Sequence, residues 1–530
     1  MMNSDSDVVS GSCRKKLFRM VIPSFSRFNI YSSVAKYTTA LGPVLIATMV
    51  SKLHGWDAEV IDENNFHRNG LCTRERYPDH ELLQQLRPAD AVGFYGGLSS
   101  TVGRIYKLSE FYKNCGCLTI AGGQHFVDDN IEDGLNHNID YLILGEGEIA
   151  VQELFNAVYN DLPVDDIAGL AWKKDGKLII RRLRQENNDL DSLPLPDFSL
   201  LRCSKLSLYP VSWVRGCGMN CEFCTVKGKV RCPSVRYILN QMTSLYEGRG
   251  ATYFFIVDDL FGQNREKTLC FCSELREYQL LLRVKFFITV QIRLDRADDE
   301  ELLRAMRLAN IRVVAIGYES PLEDDLSAMN KKLKAQEMIR LTAKFHHAGF
   351  MVHGMFIFGY PLKNPEAHSQ ISLKQRIDSY WRFIRKARID TIQILLPVPL
   401  PGTELTKRLK DSGRIFPLDK IGWEFYDGNF PLFIPDPPLR PEDMFVASGK
   451  LMKRFYRFRN MFYAGFNIIF FPMIIFPSFN LKSGWKRWYK SWRNNLWKFI
   501  GWNILRKWTI KFDKEEFLER VDKIISSHHK

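Results

Sequence analysis

Three cysteines, Cys217, Cys221 and Cys224, are the residues of this sequence whose spacing most directly implies chemistry. The C-x3-C-x2-C arrangement places three thiolates on one short loop, where they can ligate three irons of a [4Fe-4S] cluster and leave the fourth iron without a protein ligand. A closed zinc site needs a fourth Cys or His at matching spacing. Because Cys203 and Cys232 do not form a second pair, the pattern favours the iron-sulfur cluster.

The cysteine content also bears on the cellular compartment. Eleven cysteines in 530 residues are too few for a secreted fold held together by disulfides, which favours a reducing environment. The first apolar run, residues 17–23, is interrupted by Arg19 and is shorter than the apolar core of a signal peptide. We therefore expect a cytoplasmic protein.

The composition is that of a globular protein with several domains. With 45% hydrophobic and 25% charged residues, the chain is neither disordered nor fibrous, and its length suggests about three domains. The 74 Lys and Arg exceed the 60 Asp and Glu by 14, and residues 444–512 contain 14 basic and no acidic side chains. A surplus confined to one apolar, Trp-rich segment argues against nucleic-acid binding.

The first part of the chain alternates β-type runs with amphipathic stretches, which predicts a parallel sheet with helices on both faces. Predicted strands cover residues 18–22, 58–62, 91–95, 118–121 and 141–144, and predicted helices cover 37–53, 80–86, 102–114 and 130–136. Ligands of such sheets bind beyond the carboxyl ends of the strands. Small and polar residues cluster there, at 23–24, 96–100, 122–125 and 145–148. Together these loops suit a large flat ligand.

A second β/α series follows a charged stretch at 167–200, which predicts a short hairpin and then a linker. Its predicted strands cover residues 212–215, 253–257, 286–290, 313–316, 352–358 and 391–396, with helices such as 298–308 and 335–347 between them. Six such units predict a partial (β/α)6 barrel. We expect an α/β protein with a doubly wound, Rossmann-like domain at 1–165, a linker at 166–205, the barrel at 206–415 and a helical, basic, aromatic region at 416–530.

The cysteine loop, with Phe223 before its last cysteine, resembles the cluster loop of radical S-adenosylmethionine (SAM) enzymes, in which the open iron binds the amino and carboxylate groups of SAM. Further segments are similar to that family, namely Asp258-Asp259, Gln291-Ile292-Arg293-Leu294-Asp295, Gly317-Tyr318-Glu319-Ser320, Phe358-Gly359-Tyr360-Pro361 and Pro399-Leu400-Pro401-Gly402-Thr403. The resemblance implies that the Phe223 backbone faces the adenine and that Arg293, Glu319 and Ser320 bind SAM. Ordinary caps and turns are the alternative interpretation of these later segments.

The first domain resembles the cobalamin-binding domain that precedes the barrel in the cobalamin-dependent branch of this family. The strings Gly122-Gly123-Gln124-His125 and Gly145-Glu146-Gly147-Glu148 are its most similar parts. The resemblance implies cobalamin contacts from Ser99, Ser100, Gly122, Gly123, Gln124, Gly145, Glu146 and Gly147. Domains with a histidine below the cobalt have a D-x-H-x-x-G motif after the first strand, whereas His67 lies in N-F-H-R-N-G after the second. We interpret His67 as a surface residue, which leaves cobalt without an assigned lower ligand.

Both resemblances, over about residues 17–410, imply three cofactors: a [4Fe-4S] cluster, SAM and cobalamin. They imply that one electron, from a reductant such as flavodoxin or ferredoxin, cleaves SAM to a 5'-deoxyadenosyl radical. This radical would abstract hydrogen from an unactivated carbon, to which methylcobalamin would deliver a methyl group. Hydrogen abstraction needs no general base, so no catalytic side chain is assigned. We expect a methyltransferase that acts on a small, apolar, lipid-like substrate, with hopanoid-type methylation as a compatible case.

The tail contains 21 uncharged positions at residues 461–481, a length typical of a membrane span. Pro472 and Pro477 would interrupt a helix there, and basic flanks would keep both ends on the cytoplasmic face. Six of the eleven tryptophans fall within residues 485–508 among Lys and Arg, as in helices that lie on anionic membranes. We predict peripheral attachment to the inner membrane face. A helical subdomain over the barrel and an RNA-binding segment are the alternatives.

Other classes of protein are compatible with parts of this sequence pattern. Radical SAM cyclisation or ring contraction, as in anaerobic magnesium-porphyrin cyclases, uses the same architecture. A methylthiotransferase would need three cluster cysteines in its first domain, and Cys13, Cys72, Cys115 and Cys117 do not supply the usual arrangement. A non-enzymatic iron-sulfur or cobalamin sensor is the remaining alternative.

Overall fold

Two sheets and a group of C-terminal helices organise the protein in the computed structural model, which describes residues 14–26, 28–331, 333–364, 371–469, 481–511 and 514–528. The first sheet has seven strands, namely β1 (Lys16–Ile22), β2 (Trp56–Asp62), β3 (Ala91–Tyr95), β4 (Leu118–Gly122), β5 (Tyr141–Ile143), β6 (Leu170–Lys174) and β7 (Lys177–Ile180). Their order in the sheet is β2-β1-β3-β4-β5-β6-β7. The first five are mutually parallel, as the sequence predicts.

Six helices belong to this first unit. They are α1 (Ser32–Ala35), α2 (Leu41–Ser51), α3 (His80–Leu86), α4 (Val102–Asn114), α5 (Asp129–Asn136) and α6 (Glu148–Tyr159). Helix α6 was not predicted from the sequence, although its apolar residues recur at helical spacing and its buried face joins the core. The predicted hairpin, β6 and β7, pairs antiparallel with β5 and so extends the first sheet to Ile180, beyond the expected domain end at 165.

The second sheet is entirely parallel, with its six strands in sequence order, as expected for a partial barrel. Its strands are β8 (Tyr209–Val211), β9 (Tyr253–Phe261), β10 (Phe287–Ile292), β11 (Ile311–Glu319), β12 (Met351–Ile357) and β13 (Thr391–Leu395). Its helices are α7 (Val235–Arg249), α8 (Arg265–Leu281), α9 (Glu300–Leu308), α10 (Glu323–Ala328), α11 (Ala335–His347), α12 (Leu373–Lys386) and α13 (Glu404–Asp411).

Three strand predictions in the barrel were wrong in their bounds. The first strand lies at Tyr209–Val211 rather than at 212–215, because Trp213 N–H donates to the Asp258 carboxylate (2.6 Å) and Ser212 N–H to the Gln241 side chain (3.3 Å) instead of to a neighbouring strand. Strands β9 and β11 continue through Asp258-Asp259 and Gly317–Glu319, which the sequence places after the strands.

The C-terminal region is helical, as predicted. Its helices are α14 (Leu418–Ile421), α15 (Pro441–Phe455), α16 (Arg459–Ile469), α17 (Leu481–Lys511) and α18 (Lys514–His528). Helices α15 and α17 both contact β13, the edge strand of the barrel. Most of the uncharged run, residues 470–480, lies outside the described residues. None of the described helices combines the length and the apolar character needed to cross a membrane.

Candidate active site between the two sheets

A cavity of 640 Å³ lies where the carboxyl ends of the two sheets face each other. From the first sheet, its wall includes three of the Gly-rich loops predicted to hold a flat ligand. From the barrel, the wall includes the start of the cysteine loop and the end of β9. The residues concerned are Gly97, Gly122, Gly123, Gln124, Gly145, Glu146 and Gly147 on one side, and Trp213, Arg215, Val226 and Asp259 on the other.

The glycines of these loops serve two different purposes. Gly123 has φ +131°, and a Cβ there would lie 2.4 Å from the Gly96 backbone, so this glycine allows two loops of the first sheet to pack. A Cβ at Gly145 or Gly42 would meet no atom within 4 Å, and both positions line the cavity. This open wall, beyond the ends of parallel strands, fits a large flat cofactor.

Direct contacts join the Gly-rich loops to the cysteine loop. Thr225 Oγ1 donates to Gln124 Oε1 (2.9 Å), which connects the residue after Cys224 to the loop after β4. Glu148 Oε1 accepts a hydrogen bond from Arg215 Nη2 (2.5 Å). Glu146 accepts from Arg215 (3.2 Å), and also from Arg231. The two motifs that the sequence associates with different cofactors therefore touch each other.

The three cysteines of the loop are half-buried free thiols that interact electrostatically with one another. Burial raises the pKa of the Cys217 and Cys224 thiols. In the described part of the chain, no three His, Cys, Asp or Glu side chains converge as they would around one metal ion. A [4Fe-4S] cluster does not require such convergence, because each thiolate ligates a different iron. The donor set fits a cluster held by one loop.

Lys331 is a cation beside the cysteine loop that the sequence analysis missed. Its Nζ lies 3.0 Å from Glu319 Oε1 and 3.2 Å from the Gly317 carbonyl. Burial opposes its charge, but the Glu319 carboxylate and the Cys221 and Cys217 thiols raise its pKa above the usual value. Glu319 itself has φ +61°, a left-handed backbone conformation that is unusual for a residue with a Cβ.

Glu222, in the cysteine loop, forms hydrogen bonds with two residues from the last part of the barrel, Tyr360 and Arg408. Its carboxylate accepts hydrogen bonds from Arg408 (2.8 and 3.1 Å) and from the Tyr360 hydroxyl (2.7 Å). Its side chain is 5% exposed, so the charge is balanced inside the protein. Burial and the Glu222 carboxylate raise the pKa of Tyr360. No spacing in the sequence indicates this cluster, because Arg408 lies 186 residues away.

The remaining predicted SAM residues lie at different distances from the cysteine loop. Arg293 is in contact with it, since its Nη1 lies 3.0 Å from Met219 Sδ. The Phe223 ring packs at 6.1 Å from the Tyr360 ring. Ser320 is fully buried, where its hydroxyl donates to Asp325 (2.7 Å) and accepts from Tyr380 (3.0 Å). These bonds hold the Ser320 hydroxyl inside the protein, and its role at SAM stays a prediction.

Two serines and two histidines of the first domain lie away from the cavity wall. Ser99 and Ser100 are buried, and Ser99 Oγ lies 3.0 Å from His125 Nδ1. Burial lowers the pKa of His125 to about 4, so this imidazole is neutral at pH 7. His67 is exposed, as expected, and its backbone N–H donates to the Cys203 carbonyl (2.8 Å).

The sequence of the barrel matches a known protein family. Residues 211–371 match the Radical SAM superfamily model. An uncharacterised methyltransferase of Pyrococcus horikoshii is 25% identical over 378 residues, which cover 69% of this chain and 77% of that protein. The hopanoid C-2 methylase of Rhodopseudomonas palustris is 27% identical over 52% of this chain, which spans 50% of that protein's length.

A solved structure is similar over almost the whole chain. It is that of the cobalamin-dependent S-adenosylmethionine radical enzyme OxsB with aqua-cobalamin and S-adenosylmethionine bound. The TM-score is 0.63 at 12% identity, and the match covers 96% of this chain and 84% of that one. At this identity the match establishes a shared fold, from the first sheet to the C-terminal helices.

Proposed function

We propose that this chain is a cobalamin-dependent radical SAM methyltransferase, a proposal supported by the match of residues 211–371 to the Radical SAM superfamily model. We propose an unactivated carbon of an apolar, lipid-like small molecule as the methyl acceptor. Among the alternatives, methyl transfer is favoured over cyclisation because the relatives from Pyrococcus horikoshii and Rhodopseudomonas palustris are both named for methylation.

The observation that carries this proposal is the shared cavity of 640 Å³. A flat cofactor along the Gly-rich loops and a second cofactor at the cysteine loop would face the same space. Arg215 and Gln124 take part in contacts that join the two walls, so the separation of the cofactors would be set by the protein. A substrate carbon that lies between them would be accessible to both.

On the barrel side, Cys217, Cys221 and Cys224 would hold the [4Fe-4S] cluster, and Phe223, Arg293 and Glu319 would lie toward SAM. When bound, the cluster supplies the electron that cleaves SAM, and cobalamin supplies the methyl group. Lys331 adds a positive charge next to Cys217 and Cys221, which would favour their thiolate forms and would attract the SAM carboxylate. Gly42, Gly145 and Gly147 would leave room for cobalamin.

We further propose peripheral attachment of a cytoplasmic enzyme to the inner face of the membrane, and a one-electron donor such as flavodoxin or ferredoxin. Attachment is supported by the basic residues of the tail and by its exposed aromatic side chains, which include Phe462 (50% exposed) and Trp497 (40%). Attachment of this kind would bring the enzyme close to lipid-like substrates.

The test is deletion of the gene, followed by mass spectrometry of lipid and pigment extracts. We expect a series of compounds that each lack one methyl group, restored by the wild-type gene and not by the Cys221→Ala variant. SAM labelled in its methyl group should pass the label to the restored products. If the compounds from the deletion strain lack a ring instead of a methyl group, the reaction is cyclisation and not methyl transfer.

A further inference from the structure

A second cavity, of 510 Å³, lies at the other end of the barrel, around the amino end of β13. Ile389 and Asp390, which precede β13, form part of its wall, so it is on the opposite face from the cysteine loop, which follows the carboxyl end of β8. The rest of the wall comes from the end of α12, from α15 and α16, and from α17. This part of the wall includes two aromatic side chains, Trp381 and Phe455, and Asn494.

The lining of this cavity is strongly cationic. It contains six basic side chains, Arg385, Arg388, Arg454, Arg457, Arg459 and Lys498, and one acidic side chain, Asp390. Asp390 is buried and already accepts hydrogen bonds from Val352 N (2.9 Å) and Asn494 Nδ2 (2.7 Å). Within the described residues, Arg454 alone of the six basic residues forms an ion pair, with Asp378 at 3.5 Å. The cavity therefore has a large excess of positive charge.

The protein holds this charge close to apolar surface. Arg454 lies over the Trp381 ring at 4.5 Å, and Lys498 lies over the Phe455 ring at 4.7 Å. Burial lowers the pKa of Lys498, which shows that water compensates its charge only in part. Converging cations with few carboxylates to neutralise them attract a multivalent anion such as a phosphate ester.

Exposed side chains that are aromatic apart from Ile500, here called the aromatic patch, lie next to cavity residues in the chain, at the start of α16 and on α17. Phe458, Phe462, Tyr463, Trp497 and Ile500 are 42%, 50%, 49%, 40% and 38% exposed. Phe458 lies between Arg457 and Arg459 of the cavity, and Trp497 precedes Lys498. Aromatic side chains next to phosphate-binding cations are the arrangement of proteins that insert at a membrane surface. RNA would need free aromatic planes along a cationic groove that follows its backbone, whereas here the two rings in the cavity wall, Trp381 and Phe455, are each covered by a cation and the exposed rings lie outside the wall.

We propose that this cavity binds the phosphate of an anionic phospholipid while the aromatic patch inserts into the same membrane surface. The inference rests on the membrane attachment proposed above and gives it a defined headgroup site. Because this site and the cysteine loop lie at opposite ends of the barrel, the bound phospholipid anchors the protein and is not its methyl acceptor.

The experiment measures cosedimentation of the reconstituted full-length protein with vesicles of phosphatidylcholine, with and without phosphatidylglycerol. The test variant is Arg385→Gln/Arg388→Gln, and the matched control is Arg382→Gln/Lys386→Gln. Both pairs remove two exposed charges at the same helix, but only the first pair lines the cavity. We expect the first pair to weaken binding to the anionic vesicles about tenfold more than the control pair. Lys498→Gln, which changes the opposite wall, should weaken it in the same direction.

Equal losses in the two pairs would overturn the proposal, because general surface charge would then explain attachment. Glycerol 3-phosphate and a single-stranded RNA serve as competitors: binding of either one that depends on Arg385 and Arg388, without vesicle binding, would also overturn it. The proposed enzyme is tested separately by SAM cleavage in the wild-type protein. If the wild-type protein binds vesicles but does not cleave SAM, the proposed enzymatic activity is disproved, whereas the proposed phosphate-binding cavity is still supported.

Discussion

Glu146 and Arg231 form a bidentate ion pair, with Glu146 Oε1 2.7 Å from Nη2 and Oε2 3.0 Å from Nη1 of the arginine. Glu146 lies in the loop after β5 of the first sheet, and Arg231 follows the cysteine loop of the barrel. The Arg231 side chain is 9% exposed, so the pair is shielded from water on one side. It connects the loop predicted to hold cobalamin with the segment predicted to hold the cluster.

Glu146→Gln should lower the free energy of unfolding by about 1–3 kcal/mol, because the nearly buried Arg231 guanidinium loses its bidentate carboxylate and retains the more exposed Glu186. Glu186→Gln is the matched control, since Glu186 lies 3.3 Å from the same arginine but is 47% exposed, and it should cost less. Chemical denaturation of both variants measures the difference. If both variants lose the same free energy of unfolding, Glu146 does not provide the main connection between the two loops.

The same pair predicts a pH dependence. Burial opposes ionisation of Glu146, but the Arg231 hydrogen bonds and the Arg215 charge lower its pKa below the ordinary value of 4.5. A carboxyl whose pKa is lower in the folded protein stabilises it above the unfolded pKa and loses that contribution as the pH falls. The stability difference between wild type and Glu146→Gln should therefore be constant near pH 7 and shrink below pH 4.5. A difference that grows in acid would contradict this assignment.

The cluster prediction is tested by replacing the cysteines. The triple variant with Ala at Cys217, Cys221 and Cys224 should retain no iron after anaerobic reconstitution and should form no 5'-deoxyadenosine from SAM. Cys270→Ala is the control, because Cys270 is an exposed thiol on α8, away from the cysteine loop. Iron content and product formation are measured together. Full iron and activity in the triple variant would disprove the ligand assignment.

Sequence patterns located most of the parallel strands because each is a short apolar run with a turn after it, and the cysteine motif because all its residues are adjacent. Neither signal exists for Glu222 with Arg408 or for Lys331 with Glu319, since folding alone brings these residues together. Strand ends were predicted wrongly where a side chain, and not a neighbouring strand, binds the backbone. Asp258, for example, accepts a hydrogen bond from the N–H of Trp213. Local patterns thus predict the elements, whereas contacts between distant segments complete the site.

Tyr360→Phe tests how Glu222 holds the cysteine loop. The change removes one hydrogen bond to a buried carboxylate and should cost about 1–2 kcal/mol of stability, with slower cluster assembly and faster loss of iron. Tyr278→Phe is the control, because Tyr278 makes a similar hydrogen bond to Glu247 (3.2 Å) at the exposed surface. If both variants keep iron equally well, Tyr360 stabilises the fold without positioning the loop.

Gly42→Leu tests the cobalamin wall. Gly42 lines the cavity near the start of α2, and a Cβ there meets no other atom, so the larger side chain should fill the cavity without disturbing the fold. Gly103→Leu, at the same position of α4 and equally open, is the control outside the cavity wall. We expect binding of hydroxocobalamin to fall about tenfold in the first variant and little in the second. Gly123 is less suitable, because any side chain there would strike the Gly96 backbone.

The tail is also part of the barrel, since the Tyr456 hydroxyl accepts from Ile392 N–H (2.8 Å) and donates to the Ile392 carbonyl (2.7 Å) on the edge strand β13. Tyr456→Phe leaves both backbone groups buried without this partner and should lower the free energy of unfolding by about 1–3 kcal/mol. Tyr463→Phe is the control, because Tyr463 is 49% exposed on the neighbouring helix α16. A chain cut before Tyr456 should accordingly lose barrel stability together with membrane binding, whereas Tyr456→Phe should weaken only the barrel. If Tyr456→Phe unfolds at the same denaturant concentration as Tyr463→Phe, the edge of β13 does not depend on the tail.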